Sequence, residues 1–440
     1  MLGARLGGAI LAVASTASIL TMAAQPVAAY LNPAFRNGAQ MSDWRQYRGD
    51  ADHRGWNQSE TILSPTNVGD LQILWRAYGG FNSSPAVAHG IVYDGDANLG
   101  AFSVDCATDG SYCSPLWYGG TGYPDWDSPA VAGGMVYMQS TQGLFAFKVG
   151  CASDGSKCAP VWTDPTIGNT GYTSPAVANG WLYSATGNGD LRGYDLARCA
   201  AQGGECHADW IVPLGFMSYS SPAVSKGVVY VGGRDGYLYA FPARCSTGGG
   251  TCSAIWKGPI GPGTNSSPAV ANGEVYMPSL DGHMYVFAVG CGKNGAICQP
   301  KWTAQLDDVY INGSPAVTND MVYVPGTRRL FAFPVNCRSD GGLCSPTWMS
   351  RKTGVGGSFA ASPAVANGVV YIPTQGRYQG NGRLLAFNAY CTNANHVCKP
   401  IWRSDYLGAM TNSSPAVAHG MVFVASNSGM FYAFGLPPTQ

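Results

Sequence analysis

The chain has 440 residues, of which only 11% are charged, with 25 basic residues against 25 acidic ones. That balance leaves no basic field to draw in nucleic acid or an anionic membrane surface. Sixty glycines and 24 tyrosines suit a protein of strands and turns with a polar, weakly charged surface.

Residues 1–29 hold Arg5 in a short basic start, an apolar stretch from Leu6 to Met22, and the small-residue end Val27-Ala28-Ala29. This pattern predicts a secretory signal peptide cleaved before Tyr30, and hence a secreted or periplasmic protein. An N-terminal membrane anchor is the competing reading; Gly, Ser and Thr dilute the stretch, which argues for cleavage and against a stable anchor. Residues 30–70 show no strand periodicity but carry Trp44, Tyr47, Asp50, His53, Gly55 and Trp56. They read as a lead-in lying across the folded body, with His53 a structural histidine, or beside Asp50 a functional one.

From Ser84 onward one pattern recurs. The proline of Ser-Pro-Ala-Val falls at Pro85, Pro129, Pro175, Pro222, Pro268, Pro315, Pro363 and Pro415, with gaps of 44, 46, 47, 46, 47, 48 and 52 residues. Eight copies at such a period imply stacked supersecondary units. In each copy short β-branched and aromatic runs alternate with turn signals, as in Val228–Val231 followed by Tyr237–Phe241, which marks strands joined by tight turns. A fourth strand carries a tryptophan: Trp117, Trp162, Trp210, Trp256, Trp302, Trp348 or Trp402.

One further tryptophan, Trp75, precedes the first copy, and the last copy stops one strand short after Phe431–Phe434. A ring closed by the N-terminal strand explains both facts, and closure removes free sheet edges. The expected fold is all-β: an eight-bladed β-propeller of four-stranded antiparallel blades over residues 71–440. It counts as one domain, because propellers grow by adding blades.

Cysteines come in seven pairs, always with six residues between: Cys106 with Cys113, Cys151 with Cys158, Cys199 with Cys206, Cys245 with Cys252, Cys291 with Cys298, Cys337 with Cys344 and Cys391 with Cys398. In an exported chain, seven equally spaced pairs read as local disulfides between the third and fourth strands. Zinc would want closer cysteines and more ligands, and only His207 and His396 lie near any pair.

The Ser-Pro-Ala-Val-Ala-Asn-Gly start, the Ala-Phe run and the following tryptophan resemble the pyrroloquinoline-quinone-type β-propeller repeat. The lead-in Asp43-Trp44-Arg45-Gln46-Tyr47, with Asp50, His53 and Gly55, is similar to the start of such proteins. The resemblance implies the propeller fold and two different roles, quinone-dependent dehydrogenase or noncatalytic scaffold. Two features depart from the family. The stretch from Ala332 to Trp348 takes sixteen residues where family repeats use about ten, and neither adjacent cysteines nor a Cys-x-x-Cys-His haem site occurs.

Loop variation points to the funnel face. Arg234, Arg328 and Arg377 with Tyr378 sit in second-to-third-strand loops, as a set suited to a planar polycarboxylate such as the quinone; solvated loop arginines are the plainer reading. Asp125 and Asp127 enter blade 2 and Asp307 and Asp308 enter blade 6, opposite in the ring. Facing inward, Asp125, Asp127 and Asp308 would suit calcium, and Asp127 or Asp307 a general base; solvated turn aspartates are the alternative. The sequence therefore leads to a secreted, monomeric binding or scaffold propeller with a protein, glycan or small-molecule ligand at the funnel face. A dehydrogenase using the quinone and calcium is the alternative.

Overall fold

The computed structural model describes residues 42–438 except 81, 96–97, 123–126, 169–171, 216–218, 246–251, 307–310, 353–360, 376–380 and 409–412. Eight antiparallel sheets stand around an axis, as the eight repeats require. In blade 1, Ala86–Ala88 lies innermost, followed outward by Ile91–Gly95, Leu99–Ser103 and Trp117–Gly119. The other blades repeat this order.

The hairpin between the first two strands shows why its residues recur. His89, Asn179, Lys226, Asn272, Asn367 and His419 all have φ between +40° and +55°, each followed by a glycine at positive φ. Two successive left-handed residues make the turn whose twist matches the strands it joins. His89 and His419 are therefore turn residues like their asparagine counterparts.

Ring closure is made by backbone pairing. Gln72–Tyr78 runs antiparallel to Met430–Gly435 and completes blade 8 from the opposite end of the chain.

Tryptophans rivet neighbouring blades together. The Trp117 ring packs on Tyr93 of its own blade and on Phe147 of the next, each about 6.0 Å away, and its indole N–H donates to Val149 O at 3.2 Å. Trp75, Trp256 and Trp348 repeat the bond to Val104, Val289 and Ala389. An aromatic of this size hides roughly 150–250 Å², an upper estimate of about 4–6 kcal/mol per rivet.

The lengthened third-to-fourth connections have a structural use. Each described one adds a short parallel strand to the outer edge of the preceding blade: Ser156–Cys158 on Trp117–Gly119, Gly204–Glu205 on Trp162–Asp164, Ala296–Ile297 on Trp256–Pro259. Leu343–Cys344 and Val397–Cys398 do the same for blades 5 and 6, and Ser111–Tyr112 reaches back to Gln72–Tyr78 across the closure.

All seven cysteine pairs are disulfides, each joined to the partner expected from the spacing. Cys106 bonds Cys113, Cys151 bonds Cys158, Cys199 bonds Cys206 and Cys245 bonds Cys252. Cys291 bonds Cys298, Cys337 bonds Cys344 and Cys391 bonds Cys398, and the Cα separations of the seven lie between 5.4 and 6.3 Å. The bridges pin the bases of the latches, and each latch covers an otherwise open sheet edge. Blade 8 has no cysteine hairpin, so among the described residues no latch covers Trp402–Arg403 of blade 7, where Trp402 is only half-buried.

One helix departs from the repeat. Leu196–Gln202 forms in the blade 3 connection, where Asp195 caps it by accepting from Ala197 N and Arg198 N and Gly203 stops it at φ +63°. Asp-Leu-Ala-Arg-Cys-Ala-Ala-Gln combines a capping residue with strong helix formers, a local signal that the β periodicity of the repeat masks.

Candidate functional site: the axial channel

The innermost strand of a propeller blade presents an unpaired edge to the axis, and each buried N–H on it needs an acceptor. Residues 44–57 supply them in a single turn around the axis. Val87 N donates to Trp44 O, Val131 N to Arg45 O, Val224 N to Ala51 O, Val270 N to Asp52 O, Val317 N to Arg54 O and Val365 N to Gly55 O, at 2.6–2.8 Å. Blade 3 uses a side chain instead, Val177 N donating to Gln46 Oε1 at 2.8 Å, and Asn57 Nδ2 donates to Val417 O of blade 8 at 2.7 Å. The lead-in thus visits all eight blades in order. It is an axial hub, a more central place than a lead-in lying across the folded body would take.

The hub carries buried charge. The Arg48 guanidinium donates to Pro315 O at 2.8 Å and to Pro363 O, and burial lowers its pKa to about 10. Gly55 stays at φ +62°, and a Cβ there would stand 2.1 Å from Arg48 Nη2. His53 is fully buried with its ring edge-on to Tyr47 at 5.3 Å. Burial, helped by the Arg48 charge, depresses its pKa to about 3, so the imidazole is neutral. Burial raises the Asp50 carboxyl to about 6, while its Oδ1 accepts Arg54 N at 3.0 Å. These are the marks of a structural histidine and of a carboxylate that shapes a turn.

Next to the hub lies a ring of serines, which explains the first letter of the repeat. Ser84 N donates to Ser128 Oγ, Ser128 N to Ser174 Oγ, Ser174 N to Ser221 Oγ and Ser221 N to Ser267 Oγ, at 2.9–3.0 Å. Ser267, Ser314 and Ser362 continue the chain to Ser414, whose N–H donates back to Ser84 Oγ at 2.8 Å. All eight serines take part. Within the ring, a pocket of ≈ 50 Å³ opens over Tyr47, whose hydroxyl lies 3.3 Å from Ser314 Oγ.

The mouth of that pocket is lined by Asn82, Asn265, Tyr172 and Tyr219. Tyr172 and Tyr219 stack at 5.5 Å, and the Arg234 guanidinium lies 5.1 Å over the Tyr219 ring. Of the arginines expected on the funnel face, Arg234 thus joins an aromatic pile on the rim, and Arg328 is exposed in its loop. Arg377 and Tyr378 lie outside the described residues, as do Asp125, Asp307 and Asp308. Asp127 is fully buried and takes the repeat position of Ser83, while its neighbour Ser128 lines the pocket. Sequence reasoning missed Tyr172 and Tyr219. The signal was present: both occupy the position two before the ring serine, where Asn82, Asn265, Asn312 and Asn412 stand in other repeats.

Pockets for ligands of drug size measure about 300–1,000 Å³, and the hub and serine ring leave ≈ 50 Å³. Among the described residues no group of three His, Cys, Asp or Glu side chains is placed to hold a metal ion.

Eight four-stranded blades closed by the N-terminal strand, an inner Ser-Pro-Ala-Val ring and inter-blade tryptophans define a β-propeller of the pyrroloquinoline-quinone type. Solved structures of the same fold include BamB from Moraxella catarrhalis, 14% identical with TM-score 0.56 over 84% of this chain and 99% of that one. Quinohemoprotein alcohol dehydrogenase from Comamonas testosteroni is 13% identical with TM-score 0.65 over 95% and 84%. A europium-containing methanol dehydrogenase is 11% identical with TM-score 0.56 over 90% and 98%. At such identities the likeness concerns the fold. No curated protein matches the sequence. Residues 200–436, more than half of the chain, match the model of the family described as outer membrane protein assembly factor BamB, and the chain belongs to that family.

Proposed function

We propose that the protein is an exported, monomeric scaffold that binds a partner protein through the rim around its axial channel. The observation that carries this reading is the hub: residues 44–57 fill the axis by bonding to every blade, and the space left suits a few waters. A catalytic funnel needs that volume. The rim offers what a protein partner uses, two stacked tyrosines and an arginine, residue types enriched at binding hot spots. Family membership adds support, since its namesake is an assembly factor. Export is supported by the leader-like residues 1–29 and by seven disulfides, which persist in oxidising compartments. No helix among the described residues is long and apolar enough to cross a membrane.

The test has two arms. Purified mature protein is titrated with pyrroloquinoline quinone, with and without calcium, by calorimetry and absorbance; the scaffold reading expects no saturable uptake at high micromolar quinone. A photo-crosslinker placed at Tyr172 is expected to trap one discrete protein in the native compartment, with the adduct lost in Tyr219→Ala and Arg234→Ala variants. One-to-one quinone binding would replace this reading with the oxidoreductase. A rim that captures only glycan or a small metabolite would replace the partner class.

A further inference from the structure

Blade 1 differs from its seven siblings at one cross-strand pair. In most blades this pair is an aliphatic or sulfur side chain opposite an aromatic or leucine: Met138 with Phe145, Val231 with Tyr239, Met277 with Tyr285, Val324 with Phe331, Ile372 with Leu385, Val424 with Tyr432. Blade 3 uses Ser184 with Arg192, still filling the space with a long side chain. Blade 1 has Asp94 opposite Gly100. Where six of its siblings pack two bulky groups, it puts a carboxylate and a hydrogen.

The result is a pocket of ≈ 140 Å³ at the seam between blades 8 and 1, away from the axial channel. That volume is several times the about 10–15 Å³ that one water needs. Three aromatic residues line it: Tyr78 of blade 8, and Phe102 and Tyr118 of blade 1. Asp94 is 2% exposed, and Asn98 stands at the open side. Glycine at 80 lets the chain close onto the carboxylate, since a Cβ there would stand 2.6 Å from Asp94 Oδ2. Tyr78, itself 74% exposed, is held by stacking on Tyr112 at 4.9 Å, and Tyr112 belongs to the disulfide-pinned latch of Cys106–Cys113.

We infer that this seam pocket binds a small organic cation, an alkylammonium group of the choline or methylated-amine class. Aromatic faces attract a cation whose charge is spread over methyl groups, and such a cation loses little hydration on entry. The Asp94 carboxyl lies in the wall, and a cation beside it favours its charged form. The same walls would give a neutral ligand of equal shape only contact area. The site lies apart from the rim, so it stands or falls independently of partner binding there.

The probe is tetramethylammonium chloride, titrated into the full mature chain at constant ionic strength and read by ligand-observed NMR and tyrosine fluorescence. Wild type is expected to bind it saturably, and tert-butanol, its neutral isostere, at least about tenfold more weakly. Gly100→Phe installs the residue that blade 2 carries at Phe145, where it stacks on Phe147 at 6.3 Å; its Cβ would stand 2.9 Å from Phe102 Cε2, so the Phe102 ring must shift, and binding is expected to be abolished. Asp94→Ser, which copies Ser184 of blade 3, is expected to weaken binding by about tenfold or more. Equal binding of tert-butanol, or unchanged binding in Gly100→Phe, overturns the inference. Uptake of methyl glucoside without the cation overturns the assigned ligand class.

Discussion

Ser84→Ala tests the serine ring at the bond that joins the first repeat to the last. Ser84 Oγ accepts Ser414 N at 2.8 Å, and the two residues are 4% and 2% exposed. Truncation removes one hydrogen bond and strands a buried N–H, a cost of about 1–3 kcal/mol, with water from the adjoining pocket setting the lower end. At about 2.1 cal/mol/K of unfolding entropy per residue over roughly 400 residues, the melting midpoint falls by about 1–4 °C. Urea denaturation of oxidised protein measures the free energy, and differential scanning calorimetry the midpoint. Ser59→Ala, an exposed site in the lead-in, is the control and should stay within about 0.5 kcal/mol of wild type. The ring makes a second demand. Ser221→Ala strands the Ser174 N–H in the same way, so its cost should match that of Ser84→Ala within about 0.5 kcal/mol. A Ser84→Ala protein indistinguishable from the Ser59 control would refute the closed ring as a stabilising device.

Further expectations concern the hub and the latches. His53, with its pKa lowered to about 3, gives stability that is full above about 6.5 and is lost as pH falls; Asp50, raised to about 6, gives stability that is full below about 3.8 and is lost as pH rises through 6. Between pH 6.5 and 4 the two nearly cancel. Asp50→Asn keeps the acceptor for Arg54 N but removes the Asp50 contribution, so relative to wild type it should lose roughly 2 kcal/mol on going from pH 6.5 to 4. Urea midpoints at the two pH values decide this, and a pH-independent difference from wild type would count against the buried pair. Gly55→Ala should destabilise by at least about 2 kcal/mol, because φ +62° and the Arg48 contact both oppose a Cβ; unchanged thermal stability would be the contrary result. Removing the Cys151–Cys158 bridge by a double serine substitution should cost on the order of 2.5 kcal/mol and speed exchange of the Gly155 amide, which donates to Leu116 O at 2.8 Å. Slow exchange in that double serine variant would show that the latch holds without its bridge. Peptide mapping under nonreducing conditions should recover all seven bridges within their own hairpins.

Periodicity carried most of the fold. Eight prolines at a steady spacing, the unpaired Trp75 strand and the truncated last repeat sufficed for blade number and ring closure, because strand pattern and turn chemistry are local properties of sequence. The cysteine pairs were equally legible, since a six-residue interval closes only a local loop. What those loops reach for was not: the parallel latch onto the preceding blade joins segments about forty residues apart, and only the packed ring brings them together. The same holds for the hub. Nothing in Trp44 to Asn57 announces that it would meet eight blades in turn, because its acceptors answer donors made available only when the inner strands converge on the axis. Serine's role in Ser-Pro-Ala-Val was likewise invisible, being a bond to the next copy and never within its own. The seam pocket of blade 1 stands between the two cases. Asp94 and Gly100 break the repeat visibly in sequence, and tertiary structure decided that the pocket beside them is walled by Tyr78 of the adjoining blade 8.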